Sequence, residues 1–135
     1  MKKLIVIFLL FSKTVFSDVK NINNEELKHL LKKGVPLVDI RTEKEWSKTG
    51  IIKNSLLVSM INQKGRYSFE DWSKRFSSVK LKNNSAILIC AVGGRSDYLA
   101  KLLGSRNKNI IIYNVKKGIY NWIADNNPII KYNKN

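Results

Sequence analysis

"SAILICAVGGRS", Ser85 to Ser96, joins the most apolar run outside the N-terminus to a pair of glycines, an arginine and a serine. The run "SAILIC" reads as a strand covered on both faces, which places it at the centre of a sheet whose neighbours run parallel to it. Cys90 ends that strand. Gly93 and Gly94 let the backbone curl after it, so that successive amide N–H groups can face one atom. That atom would be the sulfur of Cys90. A helix beginning near Ser96 adds the positive end of its dipole, and Arg95 adds a full charge. All three favour a thiolate over a thiol, which is the nucleophilic form. The competing reading is that Cys90 is a small apolar residue closing a core strand, since free cysteine is among the most buried types. A core cysteine, however, needs no cradle of amides.

The elements on either side repeat one pattern, a short β-branched run followed by an amphipathic stretch. Val19 to Ile22 reads as a strand. Asn23 or Asn24 caps a helix with Glu25 and Glu26 in its first turn, Leu27, Leu30 and Leu31 on its apolar face, and Lys32, Lys33 and Gly34 at its end. "VPLVDI" is a buried strand ending at Ile40, followed by a helix over Glu43 to Lys48 and a turn at Gly50. "SLLVS" is a strand. Phe69 to Val79 is a helix capped by Ser68, with Phe69, Trp72 and Phe76 on one face. Downstream of Cys90, a helix over Ser96 to Leu103 is closed by Gly104, "NIIIYN" is a strand, and Gly118 to Asp125 is the last helix, burying Ile119, Trp122 and Ile123.

Strands alternating with helices imply an α/β domain with a parallel sheet and helices on both faces. Function in such sheets gathers at the carboxyl ends of the strands. The residues placed there are Asp39 and Arg41, Ser59 and Met60, Cys90 to Arg95, and Asn114 to Lys117.

Length and composition bound what this site can belong to. The 135 residues, 44% of them hydrophobic, suffice for one compact domain. Residues 1–17 stand apart: Lys2 and Lys3 precede the apolar Leu4 to Phe11, and Val15-Phe16-Ser17 offers a cleavage-like arrangement, as in a secretory signal peptide. The apolar stretch is shorter than the about 20 residues a spanning helix needs, and Ser12-Lys13 interrupts it. A retained membrane anchor is the second reading of this segment. On the first, the domain is residues 18–135, exported to the periplasm or beyond, with no stable membrane insertion after cleavage.

One cysteine allows no intramolecular disulfide, no dithiol cycle and no multi-cysteine metal site. The sole histidine, His29, lies among the leucines of the first helix, and nothing ties it to the Cys90 loop. Activation by a Cys–His pair is therefore not expected, nor is any metal or other cofactor. The formal charge of +15 becomes +12 when Lys2, Lys3 and Lys13 leave with the signal. Its lysines are scattered and not interleaved with aromatics, so it implies attraction for small anions and no specific nucleic-acid binding.

Four pieces together are similar to a single-domain rhodanese of the sulfurtransferase family: "PLVDIRTEKEW" (36–46), "TGIIKNSLLV" (49–58), Cys90-x-x-Gly93-x-Arg95-Ser96, and "KKGIYNW" (116–122). The resemblance covers roughly Val19 to Ile130. It implies a rhodanese-like three-layer domain with a central, mostly parallel five-stranded sheet and helices on both faces. It also implies a two-step reaction: Cys90 takes a sulfane sulfur from a small anionic donor such as thiosulfate, holds it as a persulfide, and passes it to cyanide or a thiol. Ala91, Val92, Gly93, Gly94, Arg95 and Ser96 would form the persulfide cradle, with Asp39 and Arg41 fixing the strand end beside it. The chain departs from the family pattern at Ile51, where a histidine is usual, and at Lys117, which replaces the first of a glycine pair. Lys116 and Lys117 would sit beside the pocket and draw anions to it. Ala91 and Val92 make an apolar rim, suited to a protein thiol as partner.

Two other functions fit parts of the pattern. A persulfide carrier or partner-binding module would use the same cysteine with little turnover of thiosulfate. A cysteine phosphatase or arsenate reductase would also hold an anion in an amide loop, but its signature places one residue more between cysteine and arginine than the four seen from Cys90 to Arg95.

Overall fold

A computed structural model describes residues 19–134. The proposed signal segment, residues 1–17, lies outside the described residues. Five strands, β1 (Lys20–Ile22), β2 (Leu37–Asp39), β3 (Leu56–Leu57), β4 (Ser85–Ile89) and β5 (Ile111–Val115), form one sheet in the order β1-β5-β4-β2-β3. Every pairing between these strands is parallel. The helices are α1 (Asn24–Lys32), α2 (Glu43–Thr49), α3 (Phe69–Phe76), α4 (Gly94–Arg106) and α5 (Gly118–Ala124).

β4 is central, as its composition requires, and all five of its residues are buried. Its side chains alternate between two cores, as the two-residue period of a strand dictates. Ala86, Leu88 and Cys90 join Trp72 and Phe76 of α3 and Leu99 and Leu103 of α4. Ile87 and Ile89 join Leu27 of α1 and Ile119 and Trp122 of α5 on the opposite face. Helices thus cover both faces of the sheet. Among the described residues no helix is long and apolar enough to cross a membrane.

Local chemistry sets the helix starts. Asn23 and Thr42 each close a capping box, with Glu26 and Glu45 respectively, and Ser68 accepts the N–H of Asp71. Most boundaries shift by a residue or two, and four elements shift more consequentially. The strands in "VPLVDI" and "SLLVS" shorten to Leu37–Asp39 and Leu56–Leu57, although Ile40 and Val58 still donate to the neighbouring strands. α3 ends at Phe76, after which Val79 N–H bonds back to the Phe76 carbonyl in a turn. α4 starts at Gly94 and runs through Gly104 to Arg106. Gly104 is buried within the helix, so it serves close packing instead of a stop. The early start follows from Gly93, whose carbonyl accepts the Asp97 N–H at 3.1 Å and so opens the first turn.

From β2 the chain moves outward to β3, and from β4 it moves the opposite way to β5. The carboxyl ends of β2 and β4, adjacent in the sheet, are therefore a topological switch point, where such sheets open a crevice. Asp39 ends one of these strands and Cys90 follows the other.

Candidate active site

Cys90 is 1% exposed; its Sγ accepts the Gly93 N–H at 3.1 Å and lies 3.2 Å from the Ser96 hydroxyl. Both lie within the longer range that sulfur allows. The loop from Ala91 to Gly93 is thus folded back over the sulfur, and the first turn of α4 closes it. Gly93 makes the fold-back possible in two ways. Its φ is +97°, and a Cβ there would overlap the Lys116 carbonyl. Gly118, φ +65°, does the same from behind, where a Cβ would strike the Ala91 carbonyl. The loop is then stitched to α5, since Ile119 N–H bonds to the Cys90 carbonyl at 2.9 Å and Tyr120 N–H to the Ala91 carbonyl at 3.2 Å.

The expected cradle residues divide by environment. Gly94 is exposed and needs no unusual backbone, so of the glycine pair only Gly93 is required by geometry. Ala91 is buried and so not part of an exposed rim. Val92 is 65% exposed, so the apolar rim expected of both residues reduces to Val92.

The hydrogen bonds of Arg95 go to α2 and not to the sulfur. Glu45 of α2 grips its guanidinium with both carboxylate oxygens, at 2.6 and 2.9 Å. The hydrogen bond from Arg95 holds the Glu45 carboxyl at about 2, well below its usual range, against the opposing effect of partial burial. The same bond raises Arg95, and the charges of Cys90 and Asp39 add to that. Arg95 is therefore a cation held at the mouth of the loop by a fixed carboxylate, with part of its charge already offset.

Glu45 is in turn positioned by the pair at the end of β2. Asp39 and Arg41 are both fully buried and joined at 2.8 to 3.1 Å. Arg41 spends its remaining donors on the Thr49 hydroxyl at 2.6 Å, the Gly50 carbonyl at 2.8 Å and the Glu45 carbonyl at 3.5 Å. All five guanidinium donors thus have an acceptor, as a buried arginine needs. Their work is to fasten α2 to the strand end, so they support the loop without touching the sulfur.

Lys116 reaches the cysteine loop only through its backbone. The side chains of Lys116 and Lys117 are exposed at a separate cleft of about 510 Å³ at the carboxyl ends of β1 and β5. Glu25, Glu26 and Asp125 line the same cleft. Met60 packs against the core that contains Cys90, and the Ser59 carbonyl accepts from Arg75 at 2.7 Å. His29 is exposed on α1. Among the described residues no group of His, Cys, Asp and Glu could hold a metal ion.

Two residues of the site were not singled out from the sequence. Glu45 carried a signal of its own, as the acidic third residue of the Thr42 capping box, but nothing in the spacing pairs it with Arg95. Asn114 was placed at a strand end without a role. It is 2% exposed, and its Oδ1 accepts from Ser96 at 2.6 Å.

The arrangement can do one kind of chemistry well: hold a sulfur nucleophile at the switch point of a parallel α/β sheet, with a backbone amide aimed at the sulfur itself. Fold and site define a parallel α/β domain with a single-cysteine anion loop. Residues 23–125 match the rhodanese-like domain, and the chain belongs to that family. No curated protein matches the chain by sequence. Among solved structures, a rhodanese-like domain protein from Staphylococcus aureus is 28% identical with a TM-score of 0.56, over 77% of this chain and 91% of that one. The polysulfide-sulfur transferase homodimer of Wolinella succinogenes shares the fold at 18% identity and a TM-score of 0.64, over 87% of this chain and 82% of that one. So does a Rhodopseudomonas palustris protein of unknown function, described as a possible tyrosine phosphatase, at 22% identity and a TM-score of 0.61, over 83% and 85%.

Proposed function

We propose that the protein is a sulfurtransferase that carries a sulfane sulfur on Cys90. The observation that carries this reading is the Gly93 N–H directed at Sγ at 3.1 Å, with the Ser96 hydroxyl 3.2 Å from the same atom. In the first step the Cys90 thiolate attacks the outer sulfur of a donor such as thiosulfate. The sulfur–sulfur bond of the donor breaks, and sulfite leaves with its electron pair. The Cys90 persulfide that results is itself an anion and needs donors from the same loop. In the second step cyanide or an acceptor thiolate attacks the terminal sulfur, and Cys90 leaves as a thiolate, ready for the next turn. No cofactor takes part.

The site acts on sulfur more readily than on phosphate, because the Gly93 N–H is spent on Sγ and the loop is one residue shorter than that of the cysteine phosphatases. A persulfide carrier serving a protein thiol is the second reading. It is favoured by Arg95, whose hold on a free anion is weakened by Glu45, and by the exposed Val92 at the loop. Export through residues 1–17 belongs to the same proposal and would put the reaction in the periplasm or outside the cell.

The test is thiocyanate formation from thiosulfate and cyanide by the full chain and by its Cys90→Ser variant. Turnover that vanishes with Cys90 supports the enzyme. A folded wild-type protein that gains the mass of one sulfur atom, loses it to cyanide and yet shows no steady turnover is a carrier. Turnover that survives in Cys90→Ser rules out both.

A further inference from the structure

Ser96 has one hydroxyl proton and three neighbours within reach of its Oγ: Cys90 Sγ at 3.2 Å, the Gly93 carbonyl at 3.3 Å and Asn114 Oδ1 at 2.6 Å. The shortest contact is to Asn114, and both atoms there are oxygens, so the proton lies between them. The hydroxyl that faces Cys90 is then an acceptor, matched to a thiol S–H. The Asn114 carboxamide is held this way round by its own Nδ2, which donates to Asn21 Oδ1 at 2.9 Å and to the Gly93 carbonyl at 3.3 Å. Asn21 and Asn114 are partners across β1 and β5. A hydrogen-bonded chain therefore runs from Cys90 through two buried residues, Ser96 and Asn114, to the exposed Asn21.

A thiolate or a persulfide anion needs the opposite setting, with the Ser96 proton turned to sulfur. That would leave two bare oxygens 2.6 Å apart at Asn114, an arrangement the buried site cannot keep. It is relieved when the Asn114 carboxamide turns over and donates Nδ2–H to Ser96, with the exposed Asn21 turning in the same sense to donate to Asn114; the turn gives up the Asn114 bond to the Gly93 carbonyl, which then faces Oδ1. We propose that Asn114 is a positioning residue that sets the direction of the Ser96 proton and so the ease with which Cys90 ionises. The only covalent bond to change is S–H, whose proton goes to water.

The other charges near the sulfur are Arg95 on α4, with Glu45 of α2 and Asp39 of β2 behind it, and none of them touches Asn114. The inference rests on Cys90 being the reacting group, not on which sulfur donor it meets.

The experiment is the pH profile of Cys90 alkylation by iodoacetamide in the full chain, which needs no sulfur transfer and answers even if that activity is absent. Asn114→Leu removes the acceptor that holds the Ser96 proton. Its profile is expected to move to lower pH, with alkylation about tenfold faster where the thiol form dominates. Asn114→Asp keeps an acceptor that cannot turn into a donor, and its profile is expected to move to higher pH. In a Ser96→Ala background the shift caused by Asn114→Leu should vanish. Shifts of the same sign in both variants would mean that Asn114 only braces the loop, and a Leu shift that survives without Ser96 would equally overturn the proposal. Should Asn114→Leu not fold, Asn114→Asp decides: its upward shift must shrink when Ser96 is replaced by alanine, and an undiminished shift overturns the relay.

Discussion

Glu45 and Arg95, fifty residues apart in the chain, meet through two hydrogen bonds of 2.6 and 2.9 Å. Their contact ties α2 to α4 across the switch point and fixes the cation nearest the reactive sulfur. Because both side chains remain partly exposed, at 25% and 36%, the pair contributes little to stability and a good deal to geometry. Its consequences differ from those of the fully buried pair, Asp39 and Arg41, that underlies it.

Glu45→Gln should lower stability by about 1 kcal/mol or less near neutral pH, once solvent screening is allowed for. The folded state holds the Glu45 carboxyl at about 2, below the ordinary 4.5. A depressed carboxylate contributes stability that is fully present above its unfolded value and is lost as pH falls through the folded one. The difference between wild type and variant should therefore be constant above pH 4.5 and shrink toward zero between there and about pH 2. Urea denaturation at a series of pH values measures it. A difference that grows on acidification would mean the carboxyl is not held by Arg95.

The two adjacent glycines of the loop should respond in opposite ways to the same substitution. Gly93→Ala forces a Cβ into the Lys116 carbonyl at a φ of +97°, a strain of about 1–3 kcal/mol before any overlap is relieved. Gly94 opens α4 with nothing within 4 Å of a Cβ, so Gly94→Ala should be neutral or slightly stabilising. Thermal melts of both variants, with alkylation of Cys90 as a check on the loop, distinguish them. Equal losses in the two would show that the loop's curl does not depend on Gly93.

How much of this was legible beforehand depends on the range of each interaction. β4, the turn after it and the placing of Cys90 follow from residues within a dozen positions, and the sequence pattern was sufficient. Asp39 and Arg41 stand two apart on a strand end, and their supporting part was also readable. The grip of Glu45 on Arg95 was not, because the pattern of α2 is satisfied by its capping box alone. The same holds for Asn21 and Asn114, which become neighbours only once β1 and β5 take their register. Ala91 was misplaced on the rim for another reason: the bonds from Ile119 and Tyr120 pull that part of the loop inward, and no local signal marks such stitching. Lys116 and Lys117, set beside the site by position at a strand end, are exposed and line a cleft with Glu25, Glu26 and Asp125.

Arg41→Ala should cost about 3–5 kcal/mol, because it leaves the Asp39 carboxylate buried without its partner. Arg41→Lys should also destabilise, since a single ammonium cannot reach Asp39, Thr49 and Gly50 at once. Chemical denaturation gives both values. A lysine variant as stable as wild type would show that charge alone, and not the fork of donors, holds α2 to the end of β2.

Replacing Arg95 by alanine should weaken thiosulfate more than loss of one cation would suggest. Glu45, no longer neutralised, then presents its carboxylate at the mouth of the loop. The rise in KM should be largest at low ionic strength and diminish as the screening length falls from about 30 Å at 0.01 M to about 10 Å at 0.1 M salt. Removing the carboxylate as well, in Glu45→Gln/Arg95→Ala, should recover part of the loss, because the repulsion goes while the cation stays absent. Glu45→Gln alone should lower KM below that of wild type, since it returns to Arg95 the charge its partner now offsets. If instead Glu45→Gln raises KM, the carboxylate serves the site by holding Arg95 in place, and orientation outweighs charge in donor binding.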